Sequence, residues 1–102
     1  MNLCEIPWHD SLILNVKIVP ERDLLEMRLL YPEEARHQTF AEHTIVFEDA
    51  YGYKEFEGPF QGSPTILDIS VVGQHDRWSQ LRIDTNAGYR EVFCCDVYRK
   101  SR

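Results

Sequence analysis

Along most of the chain, apolar and polar residues alternate with a period of two, the mark of strands with one buried face. Leu12, Leu14, Val16 and Ile18 alternate with Ile13, Asn15 and Lys17, which predicts a first strand with the first set inward. The turn cluster Pro20-Glu21-Arg22-Asp23 follows. A second strand then sets Leu25, Met27, Leu29 and Tyr31 against Glu26, Arg28 and Leu30, so the two runs read as a hairpin. Pro32 is expected to stop this strand, because it cannot donate to a ladder. Pro32-Glu33-Glu34-Ala35-Arg36 fits a loop with at most a turn or two of helix, proline leading and acids at the positive end of the dipole. A third strand is expected near Glu42 to Glu48, centred on Ile45, Val46 and Phe47.

The pattern changes between Asp49 and Pro64, where glycine and proline are mixed with Tyr51, Tyr53, Phe56 and Phe60. This stretch predicts a long loop with a short strand at Tyr51 to Phe56. Alternation returns with Leu67, Ile69 and Val71, then with Leu81 and Ile83, and a last strand covers about Tyr89 to Tyr98. Gly73 to Arg77 and Asn86-Ala87-Gly88 supply the turns. About six strands with evenly spaced turn signals predict one all-β domain over residues 1–102, a meander-like antiparallel barrel or sandwich with little helix. The face opposite the expected core still carries Ile13, Leu24, Leu30, Ile66, Val72 and Val92. So much apolar surface on a second face implies that the sheet folds over itself or that a second copy covers it, which leaves a homo-oligomer open.

Charge narrows the partners. The 102-residue chain carries a net charge of −6. Residues 20–60 hold ten acids against four bases, which is the whole excess. A negative field repels phosphate, so neither duplex nucleic acid nor an anionic membrane is expected as a partner, whereas a basic protein is. The opening Met1-Asn2-Leu3-Cys4-Glu5 lacks the basic-then-apolar layout of a signal peptide, and no apolar run approaches a membrane span. Cys4, Cys94 and Cys95 are odd in number, and two are adjacent, unlike a disulfide framework. Together these predict a cytoplasmic protein with reduced thiols.

Catalytic signatures are weak. His9-Asp10 and His75-Asp76 pair an imidazole with a carboxylate, but sequence neighbours on a strand face apart, and both pairs sit beside turns. His9, His37, His43 and His75 are scattered without coordination spacing, so no metal or other cofactor is expected. No nucleophile elbow, phosphate loop or dinucleotide fingerprint occurs.

Ile6-Pro7-Trp8-His9-Asp10-Ser11-Leu12-Ile13-Leu14 and the later Ile45-Val46-Phe47-Glu48-Asp49-Ala50-Tyr51 resemble small bacterial β-rich proteins of unknown function. Those proteins open with a Trp-His-Asp-Ser type motif and later place a Phe and an acid before a Tyr. The resemblance implies a bacterial, single-domain, β-rich protein and assigns no catalytic residue. The acidic, compact character is also similar to that of immunity proteins that neutralise nuclease toxins. The leading expectation is therefore a non-enzymatic protein-binding domain, in its sharper form an immunity-like inhibitor with an acidic patch. Tyr51, Tyr53 and Phe56 would anchor its partner, while Glu48, Asp49, Glu55 and Glu57 steer it. The alternative is a small enzyme or ligand-binding barrel whose site lies near Trp8, His9, Asp10 and the Tyr51–Phe60 loop.

Overall fold

The structure is a computed structural model that describes residues 3–34 and 39–100, without the side chains of 32–34, 39 and 40. Ala35, Arg36 and His37, named above for a helical turn and as a histidine, lie outside the described residues. Among the described residues eight strands form two four-stranded antiparallel sheets. They are β1 (Leu12–Val19), β2 (Leu24–Glu34), β3 (Thr39–Glu48), β4 (Tyr51–Glu57), β5 (Ile66–His75), β6 (Trp78–Thr85), β7 (Gly88–Cys94) and β8 (Asp96–Arg99). The first sheet has the order β1-β2-β3-β8 and the second β4-β7-β6-β5. They face each other as a sandwich. A single bridge between Leu12 and Thr65 ties β1 to the start of β5, and the barrel does not close.

The short strand expected at Tyr51 to Phe56 is present as β4, and β8 is the strand that was not expected as a separate element. The Gly-containing aromatic stretch is strand as far as Glu57, and it forms an edge of the second sheet. The last predicted strand breaks at Cys95, where the chain leaves one sheet and joins the other. At that crossing Cys95 N donates to Glu48 O at 2.9 Å. The switch leaves Cys94 and Val97 both buried, an odd spacing that breaks the period of two where the chain changes sheets.

Aspartate makes the turns. Asp10, Asp23, Asp49 and Asp76 all have left-handed φ values, between 52° and 69°. A short polar side chain is among those that tolerate this region best. Asp23 ends the 3-10 turn Pro20–Arg22 that joins β1 to β2, and Asp76 turns the two-residue loop between β5 and β6.

The core cluster is Trp8, Met27, Leu29, Ile45, Phe47, Ile66, Leu81, Ile83, Val92 and Cys94 with their neighbours. β2 follows its predicted phase: Leu25, Met27 and Leu29 are buried. Three other expectations are corrected. In β1 the register slips between Ile13 and Asn15. This bulge at Leu14 turns Ile13 into the core, while Ile18, in the predicted inward phase, stays 59% exposed at the sheet edge. Ile13, Ile66 and Val92, expected on the second face, are core residues: bulges at Leu14 and Leu67 put Ile13 and Ile66 inward, and β7 turns its Arg90–Val92–Cys94 face to the other sheet. Pro32 does not stop β2. It lies beyond the Leu12–Leu30 pair, where β1 no longer flanks β2, and next to a register irregularity, so the ladder loses little by its missing donor. Among the described residues no helix is long and apolar enough to cross a membrane.

Candidate functional site

β4 is an edge strand hydrogen-bonded to β7, and its two faces do different things. The register slips between Tyr51 and Lys54, and Gly52 there has φ +64°. A Cβ on Gly52 would come within 3.2 Å of the Phe93 ring, so glycine serves both the backbone conformation and the close approach. The slip sends Tyr51 outward and Tyr53 inward.

On the outer face, Tyr51 stacks on Phe93 at 4.8 Å and meets the edge of Trp78 at 5.9 Å. Phe56 stacks on Tyr89 at 4.8 Å, and the Arg82 guanidinium lies 3.9 Å over the other ring of that pair, Tyr89. His75 meets Phe93 edge-on at 5.4 Å. These cross-strand pairs hold β4 onto the sheet. Tyr51 and Phe56 nevertheless remain 48% and 45% exposed.

On the inner face an ion network joins β4, β6 and β7. Arg90 grips Glu57 with two hydrogen bonds, Nε to Oε2 and Nη2 to Oε1, each 2.9 Å. Its Nη1 donates to Tyr53 Oη at 3.0 Å and lies 3.2 Å from Glu55 Oε1. Tyr53 Oη donates in turn to Glu55 at 2.8 Å, and Thr85 Oγ1 donates to Glu57 at 3.0 Å. Burial works to raise the Glu57 carboxyl, but the Arg90 fork and charge, helped by Thr85, hold it below its ordinary value. Burial, followed by the bond to Glu55, lifts the Tyr53 phenol far above its ordinary value. The Arg90 guanidinium, also opposed by burial, is held above its own by Glu57, Tyr53 and Glu55.

The residues singled out from the sequence thus fall into separate groups. Tyr51 and Phe56 share the outer face. Tyr53, Glu55 and Glu57 join through Arg90, which sequence reasoning passed over. Arg90 shares the phase of Val92 and Cys94, and because Val92 was expected on the face opposite the core, the pattern gave no sign of a buried arginine. Glu48 is exposed at the end of β3. Asp49 occupies the β3–β4 turn at φ 52°, 3.8 Å from the Arg77 guanidinium, and its carbonyl accepts the Trp78 indole N–H at 3.2 Å.

Trp8, His9 and Asp10 are not brought together. Trp8 is buried 6.1 Å from Phe47, and its Nε1 donates to Leu3 O at 3.1 Å. His9 Nδ1 lies 3.0 Å from Asp10 Oδ1, away from the buried Trp8 ring, with 73% and 67% of their side chains exposed. An open depression of about 390 Å³ between Leu3–His9 and Leu67–Ile69 passes beside them. Among the described residues no group of three His, Cys, Asp or Glu side chains converges.

The three thiols are free, Cys4 exposed and Cys94 buried. Burial, with the nearby Cys95 and Asp96, pushes the Cys94 thiol up to about 12. Iodoacetamide at mildly alkaline pH is therefore expected to label Cys4 in the native protein and Cys94 only after denaturation, as read by peptide mass spectrometry.

No known family model matches the chain, and no curated protein is significantly similar to it.

Proposed function

We propose that the chain is a non-enzymatic protein-binding domain, in its sharper form an immunity-like inhibitor, whose contact surface is the β4 edge with the outer face beside it. The observation that carries this reading is the state of Tyr51 and Phe56. Each is fixed by a stacked partner on β7, so little side-chain entropy remains to be lost on binding, yet each still offers nearly half its surface. Rigid, half-exposed aromatic rings are what interface hot spots are built from. Glu48 and Asp49 precede the strand and the half-exposed Glu55 lies within it, in the stretch that holds the whole acidic excess, and this suits a basic partner such as a nucleic-acid-cleaving toxin. Glu57 is already neutralised by Arg90 and belongs to the scaffold of the site.

Partner capture from the native host, followed by association kinetics, tests the reading. Tyr51→Ala and Phe56→Ala are each expected to cost about 2 kcal/mol of affinity, felt as faster dissociation. Glu48→Gln with Glu55→Gln is expected to slow association and flatten its salt dependence while dissociation stays close to wild type. A recovered partner whose affinity is unchanged by both ring truncations would place its surface elsewhere.

A further inference from the structure

The far edge of the second sheet is β5, and its residue pattern is self-complementary. Asp68, Ser70, Gly73 and His75 pair with Asp84, Arg82, Gln80 and Trp78 and lie on the outer face, where His75 reaches Phe93. Ile69, Val71 and Gln74 pair with Ile83, Leu81 and Ser79 and lie on the inner face. The register slips between Val71 and Gly73, so Val71 and Val72 together oppose Leu81. From Asp68 to His75 the faces therefore run out, in, out, in, in, out, in, out, a sequence that reads the same in both directions.

A strand paired with its own copy about a two-fold axis must place outer residues opposite outer and inner opposite inner. In β5 one register does this at every position, with the axis between Val71 and Val72. That register sets Asp68 against His75 of the second copy, twice over. It also sets Ile69 against Gln74, Ser70 against Gly73, and Val71 against Val72. Val71 against Val72 is an apolar pair directly across the ladder, which is favourable, and Asp68 faces an imidazole that offers it a hydrogen-bond donor. The composition of the strand agrees. β5 carries one carboxylate, no lysine, arginine or proline, and leaves Leu67, Val71 and Val72 47%, 52% and 49% exposed. A protein of net charge −6 has here an edge with almost no charge to repel its own kind.

We infer that β5 is a self-association edge: two copies of this chain join β5 to β5 antiparallel, with the two-fold axis between Val71 and Val72 and Asp68 facing His75 of the second copy. The second sheet then runs through eight strands, β4-β7-β6-β5 followed by the same four reversed. The two β4 edges fall at its far ends, roughly 34 Å apart at seven strand spacings. The dimer would thus present two copies of the β4 surface, although the self-pairing does not depend on what that surface binds.

Sedimentation velocity on the intact chain, from low micromolar to near-millimolar concentration, tests the assignment. The wild type is expected to move from 12.0 kDa to twice that mass as concentration rises. Val72→Lys, which sets a lysine beside the axis at an exposed position, is expected to remain monomeric with an unchanged circular-dichroism spectrum. His75→Glu sets carboxylates opposite Asp68 and is expected to weaken the dimer at least tenfold. Adding Asp68→Lys to His75→Glu restores opposite charges in the same register and is expected to recover the dimer. The charge-pair variants decide the matter even where Val72→Lys does not fold. A wild-type monomer at every concentration, a dimer that survives Val72→Lys in a folded protein, or a charge reversal that fails to recover the dimer would overturn the assignment. Capture of an unrelated strand by monomeric β5 would overturn it equally.

Discussion

Arg90→Met is expected to destabilise the fold by about 3 kcal/mol at neutral pH, among the largest effects of a single polar substitution in this chain. Methionine keeps most of the apolar length of arginine, so the space that the side chain fills on the inner face of β7 changes little. What is lost is the fork on Glu57. That side chain is 13% exposed, and without Arg90 its carboxylate keeps a single side-chain donor, Thr85. A buried carboxylate without its counter-charge costs far more than the pair itself contributes, because desolvation is no longer offset. Replacing both partners, Arg90→Met with Glu57→Leu, is therefore expected to recover a good part of the loss. Denaturant unfolding of the two single variants and the double variant measures this directly. A double variant no more stable than the sum of the singles would show that the pair is not coupled.

The same network sets an acid limit. Glu57 binds its proton more weakly in the folded chain than in the unfolded one, whose reference value is 4.5. Its contribution is thus fully present above that value and is lost as pH falls through the lower folded value. In Arg90→Met the sign reverses. Burial then acts nearly alone and raises the folded carboxyl, so the variant is penalised more as pH rises. The gap in stability between wild type and variant is expected to be small in acid and to widen toward neutrality. A gap independent of pH would mean that Arg90 acts through packing alone.

How much of this was legible beforehand follows from the period of the pattern and from what interrupts it. β2 has no bulge between Leu25 and Leu29, and its inward phase was readable residue by residue. In β1 and β5 a single extra residue at Leu14, Leu67 or Val72 moves everything beyond it to the other face, and nothing in a run of Leu, Ile and Val announces where that residue sits. For this reason Ile13 and Ile66 were assigned to the wrong side. β4 was legible as a short strand, but its bulge was not: Gly52 reads as a loop residue, yet it is the bulge that lets Tyr51 face out and Tyr53 face in. The division at Cys95 shows only as one change of phase, from Val92 and Cys94 to Val97, which is easily passed over in a stretch read as a single strand. The aromatic residues of the site could be named from sequence, but their roles could not. Tyr53 and Phe56 differ little as letters, and only the partner across the strand, Arg90 for one and Tyr89 for the other, makes the first scaffold and the second surface.

Gly88→Ala is expected to cost about 3 kcal/mol and to loosen β4 in particular. Gly88 opens β7 opposite Glu57 with φ +147°, a conformation that residues with a Cβ rarely adopt. A Cβ at this position would lie 2.2 Å from the Phe56 carbonyl oxygen and 3.0 Å from the Glu57 Cα. Both are backbone atoms of β4, so no rotamer change relieves the contact, and the strand end has to move away. That movement pulls Glu57 from Arg90 and Phe56 from Tyr89, the two contacts that fix the inner and outer faces of the proposed site. For a domain of this size the loss corresponds to a fall in melting temperature of roughly 12 °C or more. Gly58→Ala is the matched control, since a Cβ there meets nothing within 4 Å and the position is one residue beyond the same strand. Amide hydrogen exchange is expected to speed up in β4 before it does so in β6, because β4 is held from one side and β6 from two. If β4 supplies the contact surface, Gly88→Ala weakens partner binding even at temperatures where the rest of the sandwich is intact, whereas Gly58→Ala leaves it unchanged. Equal melting temperatures for the two variants would mean that β4 does not pack on β7 at this spacing.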